Sequence, residues 1–271
     1  MLLPYALRAD QSQPPSLNQI LQRLEVNLNR YDTHIPGFFA DEHIVSQVAP
    51  GTRDQNTLTD STFRLKRTIH PDHTATLDES RDVKSVNGRP ASSQDLAGPT
   101  VVSGAFEGAL AVVSFSQSTC TRYTLDHNKR KDPTAPYIIR FASVLTSHDS
   151  PACLLDEKSK GRVFIDPIAM QITHLELTTP HHTIIPGDAS SSAITGPRTL
   201  VVDYAPILFN SETFWLPSTI MSHSTTGAGT YHRTDWTFKA TYRNFHKLEV
   251  TSRILPSIPA ENPPSTNPET R

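Results

Sequence analysis

The sequence has no apolar run long enough to cross a bilayer as a helix. Its longest apolar-rich stretch, Ala109 to Val113 with its neighbours, is far shorter than the ~20 residues that such a helix needs. Neither sign of charge is in clear excess, because the chain has 25 Lys and Arg and 27 Asp and Glu, for a formal net charge of −2. A chain with this balance has no net positive charge to attract DNA, RNA or an anionic membrane surface. We therefore predict no transmembrane segment and no nucleic-acid partner.

Motifs of catalysis and of cofactor binding are also missing. There is no Gly-x-Ser-x-Gly elbow, no P-loop and no Gly-x-Gly-x-x-Gly, and the segment Gly104–Gly108 lacks the Lys of a phosphate site. The adjacent carboxylates Asp41-Glu42 and Asp78-Glu79 would point to opposite faces of a strand, which makes them poor acid–base pairs. We predict no catalytic residues and no cofactor.

The 12 histidines raise the question of a metal site. His70-Pro71-Asp72-His73 offers two imidazoles and a carboxylate in an expected turn, and His181-His182 is a second pair in an expected loop. Neither group has a further ligand at a spacing typical of zinc sites. We interpret both as exposed loop histidines and predict no metal ligands. An unrecognised hydrolase or metal enzyme is kept as an alternative.

Cysteine is scarce, with only Cys120 and Cys153 in the chain. In an exported protein an even pair indicates one disulfide, whereas two buried free thiols are the ordinary alternative. A bridge would close a loop of about 33 residues and stabilise the fold by roughly 3–4 kcal/mol. The residues alone leave both alternatives open.

The two ends of the chain differ from its middle. Residues 1–15 contain a few apolar positions but lack a basic n-region and a full h-region, so they are either the remnant of a truncated signal peptide or a disordered leader. Residues 256–271 contain five prolines and almost nothing apolar, which predicts a disordered tail. Residues 16–255 are expected to form a single β-rich domain.

One long helix is predicted, over residues 17–31. Ser16 is a suitable N-cap, and the helix must end before Pro36. Its apolar residues recur at helical spacing, at Leu17, Ile20, Leu21, Leu24 and Leu28. This stripe is expected to cover one face of a sheet.

From Phe38 onward the apolar period changes from helical to alternating, which predicts about nine to eleven strands. We place them at residues 38–48, 63–67, 82–86, 109–115, 137–145, 162–165, 172–177, 199–204, 213–222, 234–243 and 246–254. Strands do not alternate with helices, so a parallel sheet is not expected. The predicted fold is mainly β (α+β), a single curved antiparallel sheet or half-barrel with the helix packed on it.

The connections between strands carry their own signals. Asn87-Gly88 is a strong hairpin-turn signal, and residues 91–98 are expected to form one helical turn. Residues 180–198, rich in Pro, Gly and Ser, are expected to form a loop. Asn244-Phe245 is interpreted as the short link of a hairpin.

Aromatic residues are concentrated in the last hundred positions. Plain core packing is one interpretation of them, and an apolar concavity that binds a hydrophobic ligand is the other. For the second interpretation we predict that the ligand contacts Phe63, Leu65, Trp236, Phe238, Tyr242, Leu248 and Val250.

Several stretches resemble a group of uncharacterised exported proteins found mainly in Acidobacteria-type soil bacteria. The similarity spans roughly residues 16–256, and its most specific segments are Ile35–His43, Gly161–Pro167, Asp203–Pro206, Thr213–Ser218 and Ala240–Pro256. A looser resemblance, of fold alone, is to the outer-membrane lipoprotein carrier and receptor superfamily (LolA- and LolB-like proteins), in which an incomplete barrel holds acyl chains.

The resemblance implies export to the periplasm or cell envelope and a disulfide between Cys120 and Cys153. It brings no catalytic residues with it. We favour a non-enzymatic envelope protein that binds an acyl chain or lipid on the concave face of the sheet. The alternative is an envelope interaction module that binds protein or polysaccharide and has a filled core.

Overall fold

The computed structural model of the chain describes residues 14–50, 55–71, 75–91, 106, 112–126, 132, 134–144, 153, 155, 158–184, 194–226 and 234–248. These residues form one α-helix, one short 3₁₀ turn at Phe115–Gln117 and eleven strands. The helix and strands in chain order are α1 (Leu17–His34), β1 (Phe38–Pro50), β2 (Gln55–Ile69), β3 (Ala75–Val86), β4 (Arg89–Pro90), β5 (Thr121–Leu125), β6 (Tyr137–Ser143), β7 (Lys160–Ile165), β8 (Ile172–Ile184), β9 (Ile194–Phe209), β10 (Glu212–Thr226) and β11 (Thr234–Lys247).

The strands form a single curved antiparallel sheet that does not close. Its order is β4-β3-β2-β1-β11-β10-β9-β8-β7-β6-β5, so β4 and β5 are its two edges. Consecutive strands are neighbours in the sheet except β4 and β5, and at the centre β1 pairs with β11 along nearly its full length. The predicted half-barrel with one long N-terminal helix is confirmed.

Helix α1 begins where the sequence indicates and ends slightly later than predicted. The Ser16 hydroxyl accepts from the backbone N–H of Gln19, and the Gln19 side chain accepts in return from the backbone N–H of Ser16, which completes a capping box. The apolar stripe is buried in the same hydrophobic core as the sheet, at Ile20, Leu21, Leu24, Leu28 and Tyr31. The stripe therefore covers the sheet, as its spacing predicts.

Period-two alternation gives the sheet a buried side and a wet side. In β1, Phe38 and Ile44 are buried whereas Asp41 and His43 are exposed. We call the buried side the inner face and the other side the outer face. One continuous inner row runs across neighbouring strands through Ile44, Ala240, Ile220, Val202, Leu175, Val163 and Ile139. All seven residues of this row are fully buried.

The predicted strand at 109–115 is wrong where the structure describes it. Residues 112 and 113 lie in a turn, and Phe115–Gln117 is a 3₁₀ turn. The Ser114 hydroxyl accepts from the N–H of Ser116, and the Ser114 carbonyl accepts from the N–H of Gln117. These local hydrogen bonds compete with a strand ladder despite the β-prone composition. Residues 109–111 lie outside the described residues.

The predicted loop at 180–198 is also mostly strand. β8 continues to Ile184 and β9 begins at Ile194, so only residues 185–193 lie outside the described part. The pairing shifts register between Thr179 and His182. Pro180 lies at this bulge, where its missing N–H removes no regular ladder bond. Consequently His181 and His182 belong to a strand and not to a loop.

The predicted hairpin at Asn244-Phe245 does not exist, because β11 runs unbroken to Lys247. Asn244 has a φ of 53°, and the pairing with β1 shifts register between Phe39 and Asp41. The asparagine therefore makes a bulge inside one strand, a role that its tolerance of positive φ allows. Residues 249–254 of the predicted last strand lie outside the described residues.

Other predicted strands are present, and several are longer than predicted. The Asn87-Gly88 turn is confirmed, with φ of 50° and 73°, and it joins β3 to β4. β5 was not predicted, nor was the first half of β3, because polar residues on both faces weaken the alternation in these segments. The predicted helical turn at 91–98, the leader and the tail fall almost wholly outside the described residues.

Candidate functional site

A group of aromatic rings lies on the inner face, at the end of the sheet next to the C-terminus of α1. The ring of Phe38 is the centre of this group, with centroids 6.2 Å from Phe63, 5.9 Å from Phe106, 5.6 Å from Phe209 and 5.6 Å from Phe245. We define the aromatic cluster as these five rings with Tyr242 and Phe214, which contact its members. β1, β2, β9, β10 and β11 all contribute to it.

Phe106 is the member of the aromatic cluster that comes from neither the sheet nor the helix. Its ring stacks on Phe63 at 4.5 Å and meets Tyr242 edge-on at 5.0 Å. Its backbone N–H donates to a Glu79 carboxylate oxygen at 3.1 Å, and its carbonyl accepts from the Tyr31 hydroxyl at 2.8 Å. Phe106 therefore links the helix to the inner face of β2, β3 and β11.

The structure places most of the predicted ligand-contact residues on the inner face. Phe63, Leu65, Phe238 and Tyr242 are fully buried there. Trp236 and Leu248 are half-buried, and Leu248 packs beside Gly37, whose carbonyl accepts from the Leu248 N–H at 2.8 Å. Val250 lies outside the described residues. Phe63, Leu65, Phe238 and Tyr242 thus share one face, but other side chains cover them.

Between α1 and the sheet the described side chains are closely packed. The cavity found there is about 20 Å³, bounded by Leu24, Leu28 and Tyr31 of the helix and by Ile172 and Trp215 of the sheet. A space of that size holds about one water molecule. A ligand of acyl size therefore cannot enter this interface unless side chains move.

A buried ion pair interrupts the apolar inner face. The Arg81 Nε donates to both carboxylate oxygens of Glu42 at 2.9 Å, and the Ser61 hydroxyl donates to the same carboxylate at 2.6 Å. The side chain of Glu42 is 0% exposed and that of Arg81 is 11% exposed. The Arg81 guanidinium also lies 5.4 Å from the centroid of the Phe63 ring, so the pair borders the aromatic cluster.

Burial and the ion pair set the titration of the nearby groups. Burial acts to lower the pKa of Arg81, but the adjacent negative charge of Glu42 leaves that pKa above its ordinary value. Burial, together with the charge of Glu42, raises the pKa of Tyr242 well above its usual range. Burial alone raises the pKa of Tyr204, elsewhere on the inner face. Both tyrosines therefore stay neutral at physiological pH.

A pocket of about 170 Å³ opens at the C-terminal end of α1. We call it the end pocket, and it is lined by His34, Pro36, Phe209, Asn210, Ser211, Glu212, Phe214 and Lys247. The turn between β9 and β10 forms one wall, with Asn210 at a φ of 56°. Two of its lining residues, Phe209 and Phe214, belong to the aromatic cluster.

A larger depression, lined mainly by polar side chains of the outer face, lies on the opposite side of the sheet. It measures about 340 Å³, and we call it the outer groove, lined by Asp41, Glu42, His43, Asp60, Ser61, Lys84, Thr241, Arg243 and Asn244. His43 and Asp60 are hydrogen-bonded at 2.8 Å, and the Asn244 amide donates to Asp41 at 2.8 Å. The hydrogen bond from Asn244 is the main cause that lowers the pKa of Asp41. The hydrogen bond with His43 is the main cause that lowers the pKa of Asp60.

The two cysteines form a disulfide, Cys120–Cys153, as the family resemblance implies. The bond spans 33 positions of sequence and begins next to β5, the edge strand that pairs only with β6. It therefore ties one edge of the sheet to residues that precede β7.

Histidines and carboxylates do not gather into a metal site in the described part of the chain. No group of three or more His, Cys, Asp or Glu side chains suited to a metal ion occurs among those residues. His70 lies just after β2 and contacts Thr76, while Asp72 and His73 lie outside the described residues.

Three features of this region were missed from the sequence. Glu42 has the same strand parity as Phe38, Ala40 and Ile44, so the alternation itself could have placed it on the inner face. The partner Arg81 could not have been found, because it depends on the register of β2 with β3. Phe106 was missed because no periodic apolar pattern surrounds it in the sequence.

No helix in the described residues is both long enough and apolar enough to cross a membrane. No family model matches the chain, and no curated protein matches it.

Similarity to solved structures is confined to fold. A domain described as an outer-membrane lipoprotein-sorting protein from Vibrio parahaemolyticus has 11% identity and a TM-score of 0.38, covering 86% of this chain and 93% of that one. A LolA superfamily protein from Nitrosomonas europaea has 11% identity and a TM-score of 0.35, covering 85% and 94%. A DUF1329 family protein from Desulfovibrio piger has 9% identity and a TM-score of 0.40, covering 89% and 96%. All three TM-scores are below 0.5, so function has to be argued from the chain's own residues.

Proposed function

We propose that this protein is a non-enzymatic component of the cell envelope that binds the acyl chain of a lipid on the inner face of its sheet. The observation that carries the proposal is the breadth of that face. A fully buried apolar row crosses seven neighbouring strands and continues into the aromatic cluster, with a single described helix against it. A curved sheet with so few helices is a surface suited to a long apolar ligand.

The disulfide supports placement in the envelope. Cys120 and Cys153 are bonded to each other, and no described cysteine is free. Stable disulfides are characteristic of oxidising compartments such as the periplasm and are rare in the cytosol. The proposal therefore places the folded protein outside the cytoplasm.

The inner face offers an apolar surface with little reactive chemistry. Its buried ionisable residues Glu42 and Arg81 neutralise each other through direct hydrogen bonds, and Tyr242 and Tyr204 are held in the neutral form. Such groups suit a binding surface better than proton transfer near neutral pH. This supports a carrier or receptor rather than an enzyme.

Ligand binding on this face requires a change in packing. The described interface between α1 and the sheet has room for about one water, so an acyl chain would have to replace side-chain contacts that fill the core. The ligand then selects a more open arrangement for which it has higher affinity. We propose that Phe63, Leu65, Trp236, Phe238, Tyr242, Leu248 and Val250 line the opened space.

Native mass spectrometry of delipidated protein tests the proposal. The expected result is one or a few adducts of oleate at micromolar concentration. A double variant, Ile220→Asp with Val202→Asp, places charges in the centre of the inner row and should bind none. Because that variant is at risk of unfolding, exposed Leu208→Asp serves as a folded control that should bind normally. Absence of any adduct of oleate or of a phospholipid on the native chain would falsify the proposal.

A second candidate function follows from the outer groove. Its volume of about 340 Å³ falls in the range of ~300–1,000 Å³ that is typical of ligand sites, and its lining residues carry polar or charged side chains. This favours an interaction module that binds protein or polysaccharide through the outer face. Binding of an envelope polysaccharide, lost in Asp60→Asn and accompanied by no uptake of oleate, would favour this function over the first.

A further inference from the structure

We propose that the end pocket binds the head group of the ligand, and that the ligand is a single-chain amphiphile with an anionic head. This inference rests on the proposed function and narrows it to one class of ligand. The pocket lies at the end of α1, between the β9–β10 turn and the end of β11.

The inner wall of the end pocket leads directly into the aromatic cluster. Phe209 and Phe214 line the pocket, and both are almost completely buried. The Phe209 ring stacks on Phe38, which in turn contacts Phe63, Phe106 and Phe245. An apolar chain that enters at Phe209 therefore meets aromatic surface continuously up to the residues of the proposed site. The end pocket is thus suited to be the entrance.

The charges at the rim favour an anion. The Lys247 ammonium lines the pocket and has no ion-pair partner among the described residues. Glu212, the carboxylate among the described lining residues, is paired with Arg30 at 3.4 Å, and the Arg30 guanidinium lies 5.5 Å from the centroid of the Phe214 ring. An incoming carboxylate or phosphate would therefore meet a cation without an ion-pair partner among the described residues, whereas the carboxylate of Glu212 is paired with Arg30.

The end of the helix decides where in the pocket the head lies. α1 ends at His34, and the last carbonyls of a helix carry partial negative charge, which repels an anion. The head group is therefore expected on the side of Lys247 and the β11 end, with the chain directed toward Phe209.

The size of the pocket fits a head group and not a whole ligand. At about 170 Å³ it is smaller than the ~300–1,000 Å³ typical of sites that enclose a complete small molecule. It has room for a carboxylate or phosphate and the first carbons of a chain. The rest of the chain must lie elsewhere, and the aromatic cluster is the apolar surface that adjoins the pocket.

The test compares ligands that differ only in the head. Delipidated full-length protein is titrated by calorimetry with oleate, with methyl oleate, and with the oleoyl lysophosphatidate. We expect oleate to bind about two- to fivefold more tightly than its methyl ester, the size expected for one partly exposed ion pair. Whether oleate or lysophosphatidate binds more tightly identifies the anionic head as carboxylate or phosphate.

Two substitutions on β11 test whether the preference for an anionic head arises in the end pocket. Lys247→Gln should weaken oleate binding to the level of methyl oleate and leave methyl oleate binding unchanged. Lys239→Gln removes the same charge from an exposed position on the outer side of β11 and should change neither affinity. Circular dichroism of both variants controls for folding.

The failures of the two proposals are distinguishable. Equal affinities of the native chain for oleate and methyl oleate would overturn the anionic-head inference while leaving lipid binding intact. A Lys247→Gln variant that loses both ligands equally would also overturn it, since it would indicate a structural role. No binding of any of the three compounds would overturn the proposed function itself.

Discussion

At the scale of single residues, the most informative group is the ion pair on the inner face. Glu42 and Arg81 lie in an otherwise apolar environment, hydrogen-bonded to each other and to Ser61. Removing charges from water is costly, and that cost is recovered only when the partner is present in good geometry. The pair therefore contributes little net stability, but either charged residue without its partner would strongly destabilise the fold.

Arg81→Met should lower the free energy of unfolding by about 3–5 kcal/mol, because it leaves the Glu42 carboxylate buried and unpaired. The double variant Glu42→Leu with Arg81→Met should be markedly more stable than the single one, since no charge is then left behind. Urea denaturation of the three proteins measures both differences.

The exposed pair Arg64–Asp82 is a matched control, because it joins neighbouring strands of the same sheet at 3.5 Å on its wet side. Arg64→Met should lower the free energy of unfolding by less than about 1 kcal/mol. If the Arg81 single and double variants were equally unstable, the account of the buried pair would be wrong.

At the scale of elements, close approach of strands limits what β7 can carry. A Cβ added to Gly161 would collide with the backbone carbonyl oxygen of Glu176 on β8 and with the ring of Phe141 on β6. Neither backbone nor ring can yield without breaking pairing on both sides of β7. We expect Gly161→Ala to destabilise the fold by at least about 1–3 kcal/mol.

Gly37→Ala is the matched control for this prediction. There a new Cβ would lie 3.4 Å from both Leu248 and the Leu65 carbonyl, so small shifts suffice. The midpoint temperature of thermal unfolding should be clearly lower for Gly161→Ala than for Gly37→Ala. The reverse order would contradict the packing described for β6, β7 and β8.

Cross-strand charges on the outer face make part of the stability dependent on pH. The hydrogen bond from Arg162 holds the pKa of Glu176 below its ordinary value of 4.5, with further help from His174. A carboxyl group whose pKa is lowered by folding stabilises the native state above its unfolded pKa and loses that contribution as pH falls through the folded value.

The native chain should therefore lose stability below about pH 4.5 more steeply than Glu176→Gln does. Arg162→Gln, which removes the partner but keeps the carboxyl group, should show the same reduced slope. Urea midpoints measured from pH 6 to pH 3 test this. Identical slopes for all three proteins would show that the network contributes nothing.

How much of the fold is predictable from sequence depends on the element. The helix and the long strands follow from local periodicity, and α1 even shows its cap at Ser16. Asn244 and Pro180 were misinterpreted because turns and bulges use the same residue types, and only strand pairing distinguishes them. The sequence predicted which side of the sheet holds the candidate site, because strand alternation is local. It did not predict how the site is packed, since Phe106 and Arg81 reach it through tertiary contacts.

At the scale of the whole molecule, the disulfide links one edge of an open sheet to the body of the chain. Cys120 precedes the edge strand β5, and Cys153 precedes β7. Closing a loop of this length restricts the unfolded chain, so Cys120→Ser with Cys153→Ser should reduce stability by roughly 3–4 kcal/mol. Urea denaturation of the variant against the oxidised native chain measures the loss. Unchanged stability would mean that the bond does not restrain the fold.

Taken as a molecule, the chain presents two faces of opposite character on one sheet. The inner face is apolar and continues through the aromatic cluster to the end pocket, whereas the outer face carries the outer groove and cross-strand ion pairs. The central claim is that a lipid chain binds to the first face and not to the second.

Paramagnetic relaxation by spin-labelled stearate, read from the NMR signals of the protein, tests that claim most directly. With the label near the methyl end of the chain, we predict strong broadening at Ile44, Phe63 and Ala240 on the inner face. Val45 and Lys239, on the outer side of the same strands, should be affected much less. Equal broadening on both faces, or broadening confined to the outer groove, would contradict the account.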